Sequence, residues 1–185
     1  TEKQLLKPLF EPTELSKYFI PKKSKAEIIY LTKQTEKPEI NNIINHLKKY
    51  ELVMNERRET KNGRLKFYHL HWSRDESFFT KGDKIISVRK CESPTFVYTS
   101  DAAYFMMSCN IIKSTRINLK YLTGILNSKL IKFWLLKKGK MQGDIYQVDK
   151  EPLLDIPIHK TTDKELETQM ITLVDKIIKA KVSTF

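Results

Sequence analysis

His69 and His71 stand on either side of Leu70, a spacing that places two imidazoles on one face of a predicted strand, and Cys91 and Cys109 supply two thiols. Imidazole and thiolate are zinc ligands, but a zinc centre needs a compact second pair of Cys, His or acidic ligands, and none accompanies these histidines. They read as ordinary hydrogen-bonding residues, with no metal expected. Glu59-Thr60-Lys61 has the order of carboxylate and lysine found in magnesium-dependent nucleases, where the carboxylate holds the ion and the lysine helps to activate water. It abuts Asn62-Gly63 and lacks a partnering Asp upstream, so it reads as a solvated turn. A small nuclease resting on Glu59 and Lys61 stays open as the enzymatic alternative. No nucleophile sits in a recognisable elbow, and no catalytic residue is expected.

A second kind of chemistry is better represented. Arg74, Arg89, Glu92 and Gln142 fall near predicted loop ends, and Lys90 lies between two of them. Arginine matches guanine O6 and N7, glutamine matches adenine N6 and N7, and glutamate accepts from cytosine N4. Arg74, Arg89, Lys90, Glu92 and Gln142 are therefore the candidates for contacting base edges. Basic residues cluster near turns, and Arg57, Arg58, Lys113, Arg116, Lys137, Lys138 and Lys140 are the candidates for phosphates. In a basic domain many such charges are simply solvated. Tyr98, Tyr104 and Phe105 read as packing residues, and Phe133 and Trp134 as core.

The elements that must position these groups follow from periodicity. Glu27 to Leu31 is strand-like, and Ile40, Ile43, Ile44 and Leu47 recur at helical spacing behind Pro38 and Glu39, with Lys48 and Lys49 at the end. Asn62-Gly63 predicts a tight turn followed by a strand over 65–70. Residues 84–89 and 95–99 predict two strands of a hairpin, with Arg89 to Glu92 in a connection suited to enter a major groove, and 109–112 predicts another. Asn118 is suited to cap one long helix running through Leu119, Leu126, Phe133 and Trp134 to Gly139. Residues 144–148 and 153–158 read as extended, the latter punctuated by Pro152 and Pro157. Thr162-x-x-Glu165 is a capping-box pattern before an amphipathic helix carrying Leu166, Met170, Leu173, Val174 and Ile177. The expected fold class is α+β: a twisted, mainly antiparallel sheet packed with helices, plus that C-terminal helix.

Composition sets the frame. The 185 residues include 34 Lys+Arg against 22 Asp+Glu, a net charge of +12, with 40% hydrophobic residues and only 5 Gly and 7 Pro. This is globular composition with a surface that attracts polyanions; nucleic acid, an anionic membrane or an acidic protein would each satisfy charge alone. The two cysteines do not make a disulfide framework, which favours a reducing, cytoplasmic setting, and the longest apolar run, Phe133 to Leu136, is too short to span a bilayer. The chain begins at Thr1 and runs straight into an apolar segment, so it reads as a piece of something longer.

Leu70-His71-Trp72-Ser73-Arg74, Lys84-Ile85-Ile86, Gly124-Ile125-Leu126-Asn127-Ser128-Lys129-Leu130, Gln142-Gly143-Asp144-Ile145-Tyr146 and Ile156-Pro157-Ile158 follow one another in the order and spacing of a known family. The chain resembles the TaqI-like C-terminal specificity domain of type IIG restriction-modification enzymes and adenine-specific DNA methyltransferases. The resemblance implies a noncatalytic domain over residues 1–160 that recognises double-stranded DNA, with residues 161–185 as a docking or spacer helix. It also implies a partner methyltransferase domain or subunit elsewhere. Such a partner holds the flipped adenine with an Asn-Pro-Pro-Tyr-type motif and S-adenosylmethionine with a Gly-containing loop. Neither occurs here, so S-adenosylmethionine, and Mg²⁺ for cleavage, are expected only in the parent enzyme. A fragment of a type I specificity subunit and a basic protein-interaction module are the alternatives.

Overall fold

The computed structural model describes residues 2–35 and 39–184. Strand β1 (Leu6–Leu9) pairs antiparallel with β2 (Ala26–Ile29), Leu6 opposite Ile29. Helix α1 (Asn41–Leu47) follows; Pro38, expected in its first turn, lies outside the described residues. Its free amide groups are met by Glu2, whose carboxylate accepts from the Asn42 amide at 2.8 Å, an anion placed where a helix start favours one. Two short helices come next, α2 (Glu51–Asn55) and α3 (Arg58–Lys61).

Here the expected hairpin turn gives way to a helix stop. Gly63 has φ of 66° and its amide bonds to the Thr60 carbonyl, while the Arg64 amide reaches the Glu59 carbonyl, so Asn62-Gly63 ends α3. Residues 65–70 form no strand. Their carbonyls turn inwards to Arg57, whose guanidinium donates to Phe67 O at 2.6 Å and His69 O at 3.0 Å. His69 and His71 consequently do not share a strand face.

Strand β3 (Lys84–Val88) is followed after one residue by β4 (Lys90–Cys91), then β5 (Phe96–Thr99) and β6 (Cys109–Ile112). β3 is the centre of an antiparallel sheet in the order β5-β3-β6. It is buried on both faces. Ile86 and Val88 pack with Phe10, Tyr30, Phe79 and Tyr104 on one side, and Ile85 joins Phe96, Leu122 and Leu126 on the other. Burying each such side chain contributes about 1.5–3 kcal/mol. Lys84, also fully buried, keeps its ammonium paired by donating to the carbonyls of Thr80, Gly82 and Asp101.

The single long helix expected from Asn118 onward is two, α4 (Leu119–Leu126) and α5 (Lys129–Lys138). Asn118 caps the first as anticipated, but the helix ends at Asn127, and Ser128, in an extended conformation with ψ of 158°, caps the second, its hydroxyl accepting from the Ile131 amide. Strands β7 (Lys140–Gln142) and β8 (Ile145–Gln147) form a second small antiparallel sheet with β4, in the order β4-β8-β7. Helix α6 (Lys150–Leu154) replaces the extended start expected at Leu153-Leu154; Pro152 sits in its first turn, where an amide is not needed.

Helix α7 (Lys164–Thr184) starts at Asp163 rather than Thr162, the Asp163 carboxylate accepting from the amides of Glu165 and Leu166. It crosses α4 at Gly124, where a Cβ would come within 3.1 Å of the Met170 sulfur and 3.2 Å of Val174. Val174 is buried in this crossing and Lys120 pairs with Asp175, while Leu166, Leu173 and Ile177 remain exposed. The fold is α+β with antiparallel sheets packed by helices, the sheet being divided into three pieces. No described helix is long and apolar enough to cross a membrane.

Candidate nucleic-acid interface

The β4-β8-β7 sheet has two unlike faces. Lys90, Gln147 and Lys140 form one row across it, and Cys91, Tyr146 and Met141 the next. Side chains alternate along strands, and the second row packs into the core beside α4 and α5. The first row, with Gln142, therefore faces outward: Lys90, Lys140 and Gln142 are exposed and Gln147 is half-buried. Lys90 Nζ donates to Gln142 Oε1 at 3.2 Å across the sheet. Two amides, each with donor and acceptor side by side, thus lie among two ammonium groups. Amides of this kind match adenine N6 and N7, and ammonium groups take guanine acceptors or phosphates. The β7–β8 turn is kept tight by Gly143 at φ 59°, a left-handed conformation that favours glycine.

Arg89 is the single residue between β3 and β4 and so joins the two sheets. Its backbone is bound from both sides, its amide donating to Ser108 O and its carbonyl accepting from the Val148 amide. Its guanidinium donates to Asp149 Oδ1 at 2.7 Å and to Met107 O at 2.8 Å, while Gln147 Nε2 donates to the other Asp149 oxygen. The Arg89 hydrogen bond holds the Asp149 carboxyl below its ordinary value of 3.8. Since folding lowers this pKa, the contact's contribution is complete above that ordinary value and is lost as pH falls through the lower, folded one. Asp149→Asn should therefore lower the melting temperature most at neutral pH, and the gap from the natural protein should close on acidification. A gap independent of pH would rule out this linkage.

The remaining candidates are scattered. Arg74 is half-buried and committed to the fold: its guanidinium donates to the carbonyls of Phe105, Met106 and Cys109 and stacks over the Phe79 ring at 4.7 Å. Arg57 is similarly occupied by the 66–69 turn. Arg58 and Arg116 are exposed, Lys113 reaches Ser77 O, and Lys137 and Lys138 lie exposed at the end of α5. Glu92 is exposed just beyond β4. Glu59 and Lys61 do not act as a pair, since Glu59 bonds to His71 Nε2 at 2.6 Å and Lys61 to Glu56. Among the described residues no three His, Cys, Asp or Glu side chains gather.

Two groups escaped the sequence reading. Gln147 and Asp149 belong to the outer row and its border, and alternation within 144–148 was the signal for Gln147. Lys17 and Lys181 meet Lys90 and Glu92 around an open cleft of about 700 Å³. Burial, and then nearby Lys132, press the Lys17 ammonium toward a lower pKa. This convergence has no local signal, because its members come from opposite ends of the chain.

The model of the TaqI-like C-terminal specificity domain matches residues 41–158. The chain belongs to that family. Two type II methyltransferases of Haemophilus influenzae, M.HincII and M.HindII, are each 26% identical to this specificity domain over 143 residues, 68% of the chain but only 28% and 27% of their own lengths. The type IIL restriction-modification enzyme MmeI, solved in complex with DNA, shares the fold over 100% of the chain and 24% of its own, with a TM-score of 0.69 at 13% identity. The chain thus spans about a quarter of these relatives. The family match runs from α1 to just beyond α6 and so contains the whole β4-β8-β7 sheet of the specificity domain, while β1, β2 and α7 lie outside it.

Proposed function

We propose that this specificity domain recognises double-stranded DNA for a methyltransferase, with the outer face of β4-β8-β7 meeting base edges. The observation that carries the reading is the outward row of alternating ammonium and amide groups on one sheet face. The net charge of +12 and the cleft lined by Lys17, Lys90 and Lys181 support it as sources of phosphate contact. In the parent enzyme, methyl transfer from S-adenosylmethionine to adenine N6, and cleavage with Mg²⁺ where it occurs, would be carried out by other parts of the polypeptide or by a partner subunit. This chain's task would be to grip and orient the duplex while the adenine leaves the stack. The exposed Leu166, Leu173 and Ile177 of α7 would face that partner, in keeping with a docking role for residues 161–185.

The test is binding to a panel of single-base-substituted duplexes at two salt concentrations. With about five phosphate contacts, log K should fall against log salt with a slope of roughly −4 to −5. Gln142→Ala or Gln147→Ala should relax preference at one position, at about 1–3 kcal/mol per lost bidentate contact. Lys90→Ala or Lys140→Ala, if directed to phosphates, should weaken all duplexes alike and reduce the slope by about one each. A flat salt dependence would favour a protein-interaction module instead.

A further inference from the structure

Trp72 is 71% exposed and has φ of 53°, a left-handed conformation that is a steric outlier for a bulky residue. Beside it stand Met106 and Met107, 53% and 63% exposed, which line a second cleft together with Trp72. The three side chains belong to two loops that Arg74 buckles together, its guanidinium holding the carbonyls of Phe105 and Met106 while Tyr30 Oη donates to the Arg74 carbonyl. His71, fixed by Glu59, places its ring 5.4 Å from the indole. The fold thus keeps an indole and two thioethers projecting into water on a rigid base, at a backbone conformation that is itself unfavourable.

The position of this tip names its occupant. Arg89 donates to Met107 O with one nitrogen and to Asp149 with another, so one guanidinium ties the tip to the border of the outward row. Through Arg89 and Asp149 the apolar projection is linked to Gln147, a member of the polar face proposed to meet DNA. We infer that Trp72, with Met106 and Met107, forms a wedge that enters the duplex and stacks against an unstacked base or base step. This rests on the DNA-recognition reading above. An indole has a π-face that every base can meet, and methionine is an apolar wedge whose unbranched thioether adapts to irregular gaps. An apolar tip of three side chains tied to the Arg89 guanidinium suits a polyanion better than a broad apolar partner surface.

The experiment uses the chain with duplexes it selects from a randomised pool, 2-aminopurine being walked through the site to report unstacking. The natural protein and Trp72→Phe should raise fluorescence at one step. Trp72→Ala should abolish that rise and bind roughly ten- to a hundredfold more weakly, with the salt slope unchanged because no phosphate contact is removed. A folded Trp72→Ala variant that binds within twofold of the natural protein and gives the same fluorescence profile overturns the wedge while leaving DNA recognition intact. If Trp72→Ala does not fold, Met106→Ser with Met107→Ser takes its place: a diminished fluorescence peak supports the wedge, and an unchanged one overturns it. A natural protein that binds no duplex overturns the recognition reading and the wedge with it.

Discussion

Arg74→Ala should destabilise the protein by about 3–5 kcal/mol, a large share of the 5–15 kcal/mol typical of a whole domain. The guanidinium donates at 2.6 Å to Phe105 O, 2.8 Å to Met106 O and 3.0 Å to Cys109 O, and lies over the Phe79 ring. A charged donor contributes more than a neutral one, and its removal also strands acceptors in partly buried surroundings. Arg74→Lys should recover only part of the loss, because a single ammonium cannot span acceptors that a planar fork reaches together. Urea unfolding measures both, the midpoint falling while the slope with denaturant stays constant. A loss below about 1 kcal/mol for Arg74→Ala would show that the loops do not depend on this clamp.

Asn127→Ala should cost about 2–4 kcal/mol, although the residue is small and polar. Val88 donates to the Thr95 carbonyl, which sets the ladder so that Phe96 directs its N–H and C=O away from β3 at the sheet edge. Asn127 meets both, accepting from Phe96 N at 3.2 Å and donating to Phe96 O at 2.8 Å, so one amide acts as a short substitute strand. Alanine leaves the Phe96 amide buried without its acceptor; the carbonyl keeps Tyr18 N as a donor. Asn127→Asp separates the two bonds. A carboxylate can still accept from Phe96 N but sets a second oxygen against Phe96 O, so the variant should be at least as unstable as Asn127→Ala at neutral pH. It should recover as pH falls and the carboxyl gains a proton to donate. Absence of that recovery would mean the donor half of the contact is unimportant.

These two residues also show why sequence patterns were legible while their roles were not. Asn127 stands out in the Leu-Asn-Ser-Lys-Leu stretch, and the resemblance to the specificity-domain family followed in part from it. A helical reading nonetheless carried the apolar periodicity straight through Asn127. Each helix segment keeps the same spacing, and the reason for the break is a hydrogen bond to a strand thirty-one positions earlier. Arg74 invited a base-reading role because it is planar, bidentate and near a predicted loop, yet those properties equally suit the three carbonyls that claim it.

The strand character of β3, β5 and β6, the Asn118 cap, the amphipathic C-terminal helix and the basic excess were all readable from residue types and spacing, because each depends on neighbours within a few positions or on composition alone. So were Arg89, Lys90 and Gln142 as polar groups near loop ends, and Lys140 as a basic residue near a turn. The joining of Lys90, Gln147, Lys140 and Gln142 into one outward face was decided by tertiary structure. That face requires β4 to leave β3 after a single residue and pair with a strand more than fifty positions away, and it requires Asp149 to take the Arg89 guanidinium at the junction. The same holds for Lys17 beside Lys181. Long-range pairing depends on which edges and charges remain unsatisfied once the local elements have formed, and that is a property of their packing together.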